Sequence, residues 1–136
     1  MTARTLLERI IRIRKAIDYR RTKIDTLADQ AELSSSRLTS MPHNPSPVAS
    51  ALENAVCRKV DLEREIAELE KERNALIAQI DLLEDPVLSK LLMLRYVQEA
   101  PWDDILAELG YCESHIFRLH RQAVTMLDKA LKDESK

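Results

Sequence analysis

The sequence predicts an all-α protein: a long antiparallel, coiled-coil-like helical hairpin over residues 1–85, then a helix-turn-helix over residues 86–136. Three observations predict it. Apolar residues recur at alternating steps of three and four along two long stretches, the signature of a helical seam. Three prolines separate those stretches. The only glycine, Gly110, falls between two short helix-like segments near the end.

Composition agrees. Hydrophobic residues make up 45% and charged residues 32%, as expected of helices with one buried stripe and one wet face. Aromatics are only 4%, which argues against a β-sandwich, and one glycine cannot build a glycine-rich nucleotide loop. The first segment places Leu6, Ile10, Ile13, Ile17, Ile24, Leu27 and Ala31 on one seam, with Arg20 in its single polar slot. This predicts a helix from about Thr2 to Leu33.

A Ser/Pro loop is expected at about 34–47, because Pro42, Pro45 and Pro47 forbid a continuous helix and serine favours turns and caps. Ser46-Pro47 is a helix-start signal, serine as cap and proline in the first turn. The second long helix then carries Val48, Leu52, Ala55, Lys59, Leu62, Ile66, Leu69, Arg73, Leu76, Ile80 and Leu83 on its seam.

Charge predicts how the two helices pair. Eight basic residues lie between Ala3 and Lys23, against Glu8 and Asp18. Nine acidic residues lie between Asp61 and Asp85, against Arg64, Lys71 and Arg73. Folding at the proline loop sets the acidic run against the basic one. Exposed pairs contribute only about 0–1 kcal/mol each, so the apolar seam holds the hairpin and the charges select its orientation. Two helices leave much seam edge open, which gives room for a homodimer through the hairpin.

Asp85-Pro86 is a second cap and first-turn signal, and the following VLSKLLMLRYV is so apolar that it must be surrounded on several sides. The chain restarts at Pro101. A short helix from Pro101 to Leu109 carries Ile105 and Leu109 on one face with Trp102 beside them, and Asp103 and Asp104 suit its positive end. Gly110 turns the corner, and a last helix starts near Cys112 to Ser114. Its buried face is expected to be Ile116, Leu119, Ala123, Met126, Leu127, Ala130 and Leu131.

That spacing is a helix-turn-helix arrangement. Outward on the second helix remain Glu113, Ser114, Phe117, Arg118, Arg121 and Gln122, with His115 and His120 at the edges. Phe117 has no packing reason legible in the sequence. Arginine and glutamine at such positions can read guanine or adenine edges in the major groove, and serine can reach phosphate. Against this, Pro101 to Lys136 holds five basic and seven acidic residues, so one copy neutralises few phosphates. Tight binding then needs a dimer, a second binding surface, or a larger enzyme already on the DNA.

The stretch LRYVQEAPWDDILAELGYCESHIFRLHRQAVTMLDKAL resembles the C-terminal DNA-binding module, region 4, of sigma-70-type factors. Within that group it looks most like the ArpU and RinA-type late transcriptional regulators of phages and prophages. The shared residues are Leu94, Arg95 and Tyr96; Trp102, Ile105, Leu109, Gly110 and Tyr111; then Ser114, Leu119, His120, Ala123 and Leu127. The match covers roughly residues 86–132, and the hairpin is similar only in layout. Leu106 stands where such motifs usually put alanine, Pro101 replaces the usual Ser or Thr cap, and Cys112 replaces the serine that usually caps the recognition helix. The resemblance implies promoter DNA as partner, contact with RNA polymerase through other faces, and base or phosphate contact by Ser114, Phe117, Arg118, Arg121 and Gln122.

Other classes fit less well. No HExxH, phosphate loop or nucleophile elbow is present, so no enzyme is expected. Cys112 and His115 lack a second pair to complete a metal site, and no cofactor is expected. The start, MTARTLLERIIRIRK, has no uninterrupted apolar run, so neither a signal peptide nor a membrane span is expected and the reading is cytoplasmic. Cys57 and Cys112 are expected as buried or idle thiols. Two alternatives to a regulator stay open: a protein-interaction module without DNA binding of its own, and a packaging component like the small terminase subunit.

Overall fold

A computed structural model describes residues 1–40 and 46–134. The described chain is all-helical: α1 (Ala3–Ser40), α2 (Ser46–Ile80), α3 (Pro86–Leu92), a π turn (Met93–Val97), α4 (Trp102–Leu109) and α5 (Glu113–Glu134). The long helices pack against each other, so the expected hairpin is present. Among the described residues, no helix is long and apolar enough to cross a membrane.

Helix α1 runs further than its seam predicted. It continues through Ser34–Ser40, where a loop was expected. Serine and threonine cost a helix only a few tenths of a kcal/mol each, and no glycine or proline interrupts the chain before Pro42. Pro42 and Pro45 lie outside the described residues, and α2 begins at Ser46 as expected.

Contacts divide the chain into two compact units, Lys15–Lys71 and a second formed by Met1–Arg14 with Glu72–Lys136. In the first unit the seam is thinly covered. Ile17 and Ile66 are buried, whereas Ile24, Leu27, Leu52, Ala55 and Leu62 are only half-buried. Arg20, in the polar slot, donates from Nε to Glu65 at 2.9 Å and from a terminal nitrogen to the Ala16 carbonyl at 3.1 Å. Arg21 pairs with Glu70 at 3.0 Å. Lys59 is exposed at its seam position.

The second unit holds most of the core. Leu6, Leu7, Ile10 and Ile13 of α1 are buried, as are Leu76, Ile80 and Leu83 at the end of α2, and Leu88, Leu91, Leu92 and Leu94 beyond it. The apolar stretch after Pro86 is therefore surrounded, as its composition required. Arg9 pairs with Glu72, so in each unit the basic residues of α1 meet acidic residues of α2.

Asp85 caps α3, its carboxylate accepting from the Val87 and Leu88 amides, with Pro86 in the first turn. The helix then widens to a π turn, closed by the Gln98 amide donating to the Met93 carbonyl at 3.0 Å. Glu99, with φ of 51°, reverses the chain so that the Ala100 amide reaches the Leu94 carbonyl at 2.9 Å. Arg14 braces this reversal, donating to the Val97 carbonyl at 2.7 Å and lying 3.7 Å from the Glu99 carboxylate.

Candidate nucleic-acid interface

Helices α4 and α5 form the corner that the glycine signalled. Gly110 ends α4 with φ of 75° and ψ of 23°, its amide donating to the Leu106 carbonyl at 2.9 Å. Left-handed backbone is strained for any residue carrying a Cβ. A Cβ built at Gly110 meets no atom within 4 Å, so a substitution there costs only the backbone term. Gly110→Ala is expected to lose about 1–2 kcal/mol in urea unfolding, and Gly110→Asn clearly less.

Pro101 stands one residue before α4, with extended backbone and no side-chain cap, rather than inside the first turn as expected. Its fixed φ of −61° suits the entry, and its carbonyl accepts from Ile105 at 3.1 Å. At the start of α5 the Cys112 carbonyl accepts from Ile116 at 3.0 Å, while its sulfur lies 3.6 Å from the Ser114 hydroxyl. Both cysteines are exposed rather than buried. The Ser114 contact and backbone amides lower the Cys112 thiol pKa.

The corner closes on one apolar cluster. Leu91, Leu94, Ile105 and Ile116 are buried together, with Ala100, Trp102, Leu106, Leu109 and Leu119 packed around them. Leu106, where alanine is usual, thus sits at the edge of the cluster. On α5, Ile116, Ala123 and Leu127 are buried and Leu119, Ala130 and Leu131 half-buried. Met126 departs from expectation at 39% exposed, since it lies one step off the buried stripe.

Ser114, Phe117, Arg118, Arg121 and Gln122 are all exposed. Arg118, Arg121 and Gln122 share a shallow hollow with Asp85, Thr125 and Met126. Ser114 and Phe117 lie outside that hollow, nearer the corner. Phe117 has a packing reason the sequence did not reveal: it meets the Trp102 ring edge-on, centroids 5.1 Å apart, while 37% of it stays exposed.

His120 lies at the edge of the outward face, half-buried: its Nε2 lies 2.7 Å from the Tyr96 hydroxyl, and its ring stacks on Tyr96 and meets Trp102 edge-on. Arg95 lies over the other partner in this group, 4.5 Å from the Trp102 ring centre. Arg95, Tyr96, Trp102 and His120 therefore form an aromatic brace behind the outward face. Only the L-R-Y and R-L-H motifs could have signalled it.

Burial, helped by the Arg95 charge, lowers the His120 pKa below its ordinary 6.5, and burial raises that of Tyr96. As pH falls through 6.5 the unfolded chain binds the His120 proton before the folded one does. The neutral-His120 contribution to stability is thus complete above pH 6.5 and lost as pH falls toward the folded value. Denaturant titrations between pH 7 and 5 are expected to show a declining limb that flattens in His120→Gln.

Fold and face together define a class: a small helical protein whose helix-turn-helix presents a polar, arginine-bearing helix to solvent. A family model described as "Protein of unknown function (DUF1492)" matches residues 51–128, more than half of the chain. The chain belongs to that family. No curated protein and no solved structure matches it.

Proposed function

We propose that this chain is a sequence-specific DNA-binding transcription regulator, a cytoplasmic binding protein rather than an enzyme. In this reading it is phage-derived and acts at promoters, through α5 in the major groove and through contact with RNA polymerase. The observation that supports it is the two-sidedness of α5. Ile116, Ala123 and Leu127 anchor one side, while Ser114, Arg118, Arg121 and Gln122 are exposed on the other. These residue types suit guanine, adenine and phosphate.

The acidic balance of the C-terminal segment limits what one copy can hold. A homodimer joined through the hairpin supplies two such helices and doubles the phosphate contacts. One observation favours a second reading, a protein-interaction module. Tyr111, Phe117 and Met126 expose apolar surface on and beside the same helix.

Gel retardation on duplex DNA taken from upstream of phage structural genes separates the two. The DNA-binding reading expects retention of the parent at low salt and none of the Arg118→Ala/Arg121→Ala variant. Absence of any retention, with polymerase co-purifying, favours the interaction module instead.

A further inference from the structure

We infer that the DNA-contact surface extends from α5 onto the first turn of α1, where Arg4 and Arg121 together hold one backbone phosphate of duplex DNA. The inference rests on the reading of α5 as the DNA-contacting helix, and it supplies the second binding surface that an acidic C-terminal segment needs.

Three observations carry it. The start of α1 and the middle of α5 border a groove of about 560 Å³, with Arg4 and Leu7 on one wall, Arg121 and Val124 on another, and Tyr96 and His120 between. Arg121 also lines the hollow that holds Arg118 and Gln122, so Arg4 continues the same surface around α5. The third observation is charge. Arg9, Arg14, Arg20 and Arg21 of α1 each pair with a glutamate, whereas Arg4 and Arg12 of α1 and Arg118 and Arg121 of α5 hold no ion pair among the described residues, and of those two α1 arginines Arg4 is the one that borders the groove. Asp85, which shares the hollow with Arg118 and Arg121, has its carboxylate engaged with the Val87 and Leu88 amides.

The backbone beside Arg4 is anchored to α5 through Ala3. The neighbouring Ala3 is fully buried, and its amide donates to the Asp128 carboxylate of α5 at 2.5 Å. The first turn of α1 is therefore tied to the helix that carries Arg121. Two guanidiniums bordering one groove suit a phosphodiester, whose single charge and two free oxygens can accept from both. Phosphate contact carries no base information, so Arg4 serves affinity and register rather than sequence choice. Glu8 also lines the groove and opposes an anion there.

The test is the salt dependence of binding to a mixed-sequence duplex about three helical turns long, for the full chain and single variants. Arg4→Ala is expected to weaken binding several-fold on mixed and preferred sequences alike, and to lower the salt slope by about one. Glu8→Gln is expected to tighten binding. If the parent binds and Arg4→Ala and Glu8→Gln leave affinity and slope unchanged, the inference falls while the α5 reading stands. If the parent shows no binding at any salt concentration, both fall together.

Discussion

Ile116→Ala is expected to destabilise the chain by about 2–5 kcal/mol, the range for emptying a fully buried aliphatic site. Ile116 has no exposed surface, and its cluster partners Leu91, Leu94 and Ile105 come from α3, the π turn and α4. Removing the side chain therefore loosens α3, the π turn and α4 against α5 together. Domains of this size are stable by about 5–15 kcal/mol, so the variant should populate an open helix-turn-helix at moderate urea. Ile116→Val, which removes one methylene, should cost only about 0.5–1.5 kcal/mol. Far-ultraviolet dichroism against urea reads both. A cost for Ile116→Ala below that of Ile116→Val contradicts the packing described.

Arg118→Ala with Arg121→Ala is expected to leave the fold intact and remove binding. Both side chains are exposed and unpaired among the described residues, so their loss leaves no buried group unsatisfied. Arg118, reading a guanine, contributes about 1–3 kcal/mol, and loss of the Arg121 phosphate contact adds to it, so the pair amounts to about 10-fold or more in affinity. The salt slope should fall as well, by about one for the Arg121 phosphate contact. Urea midpoints of parent and variant should coincide within error. Equal affinity in a folded double variant removes α5 from the interface.

The hairpin and the corner were legible because their causes are local. Three-and-four spacing marks a seam wherever it occurs, and Gly110 marks a left-handed turn because few other residues tolerate one. The end of α1 was misread because serine and threonine are weak signals: they favour caps, yet Ser34–Ser40 stays helical when nothing breaks the chain. Through-space causes were hidden. Phe117 reads as an unexplained exposed aromatic until Trp102, fifteen positions earlier, is seen edge-on to it. The Tyr96 hydroxyl that partners His120, read as an edge residue, lies twenty-four positions earlier and is hidden in the same way. The Arg4–Arg121 juxtaposition joins opposite ends of the sequence, and no local pattern carries that information. Outward-facing α5 residues were legible as exposed because the buried stripe of Ile116, Ala123 and Leu127 fixes the helix rotation.

The claim that α5 reads base edges in the major groove is tested most directly by methylation interference. Methylating guanine N7 blocks the acceptor that arginine uses and leaves the phosphates and minor groove untouched. The expected result is loss of binding from a few guanines in each site, with one position becoming indifferent in Arg118→Ala. Binding that tolerates methylation at every guanine, with equal retention of unrelated sequences, contradicts it.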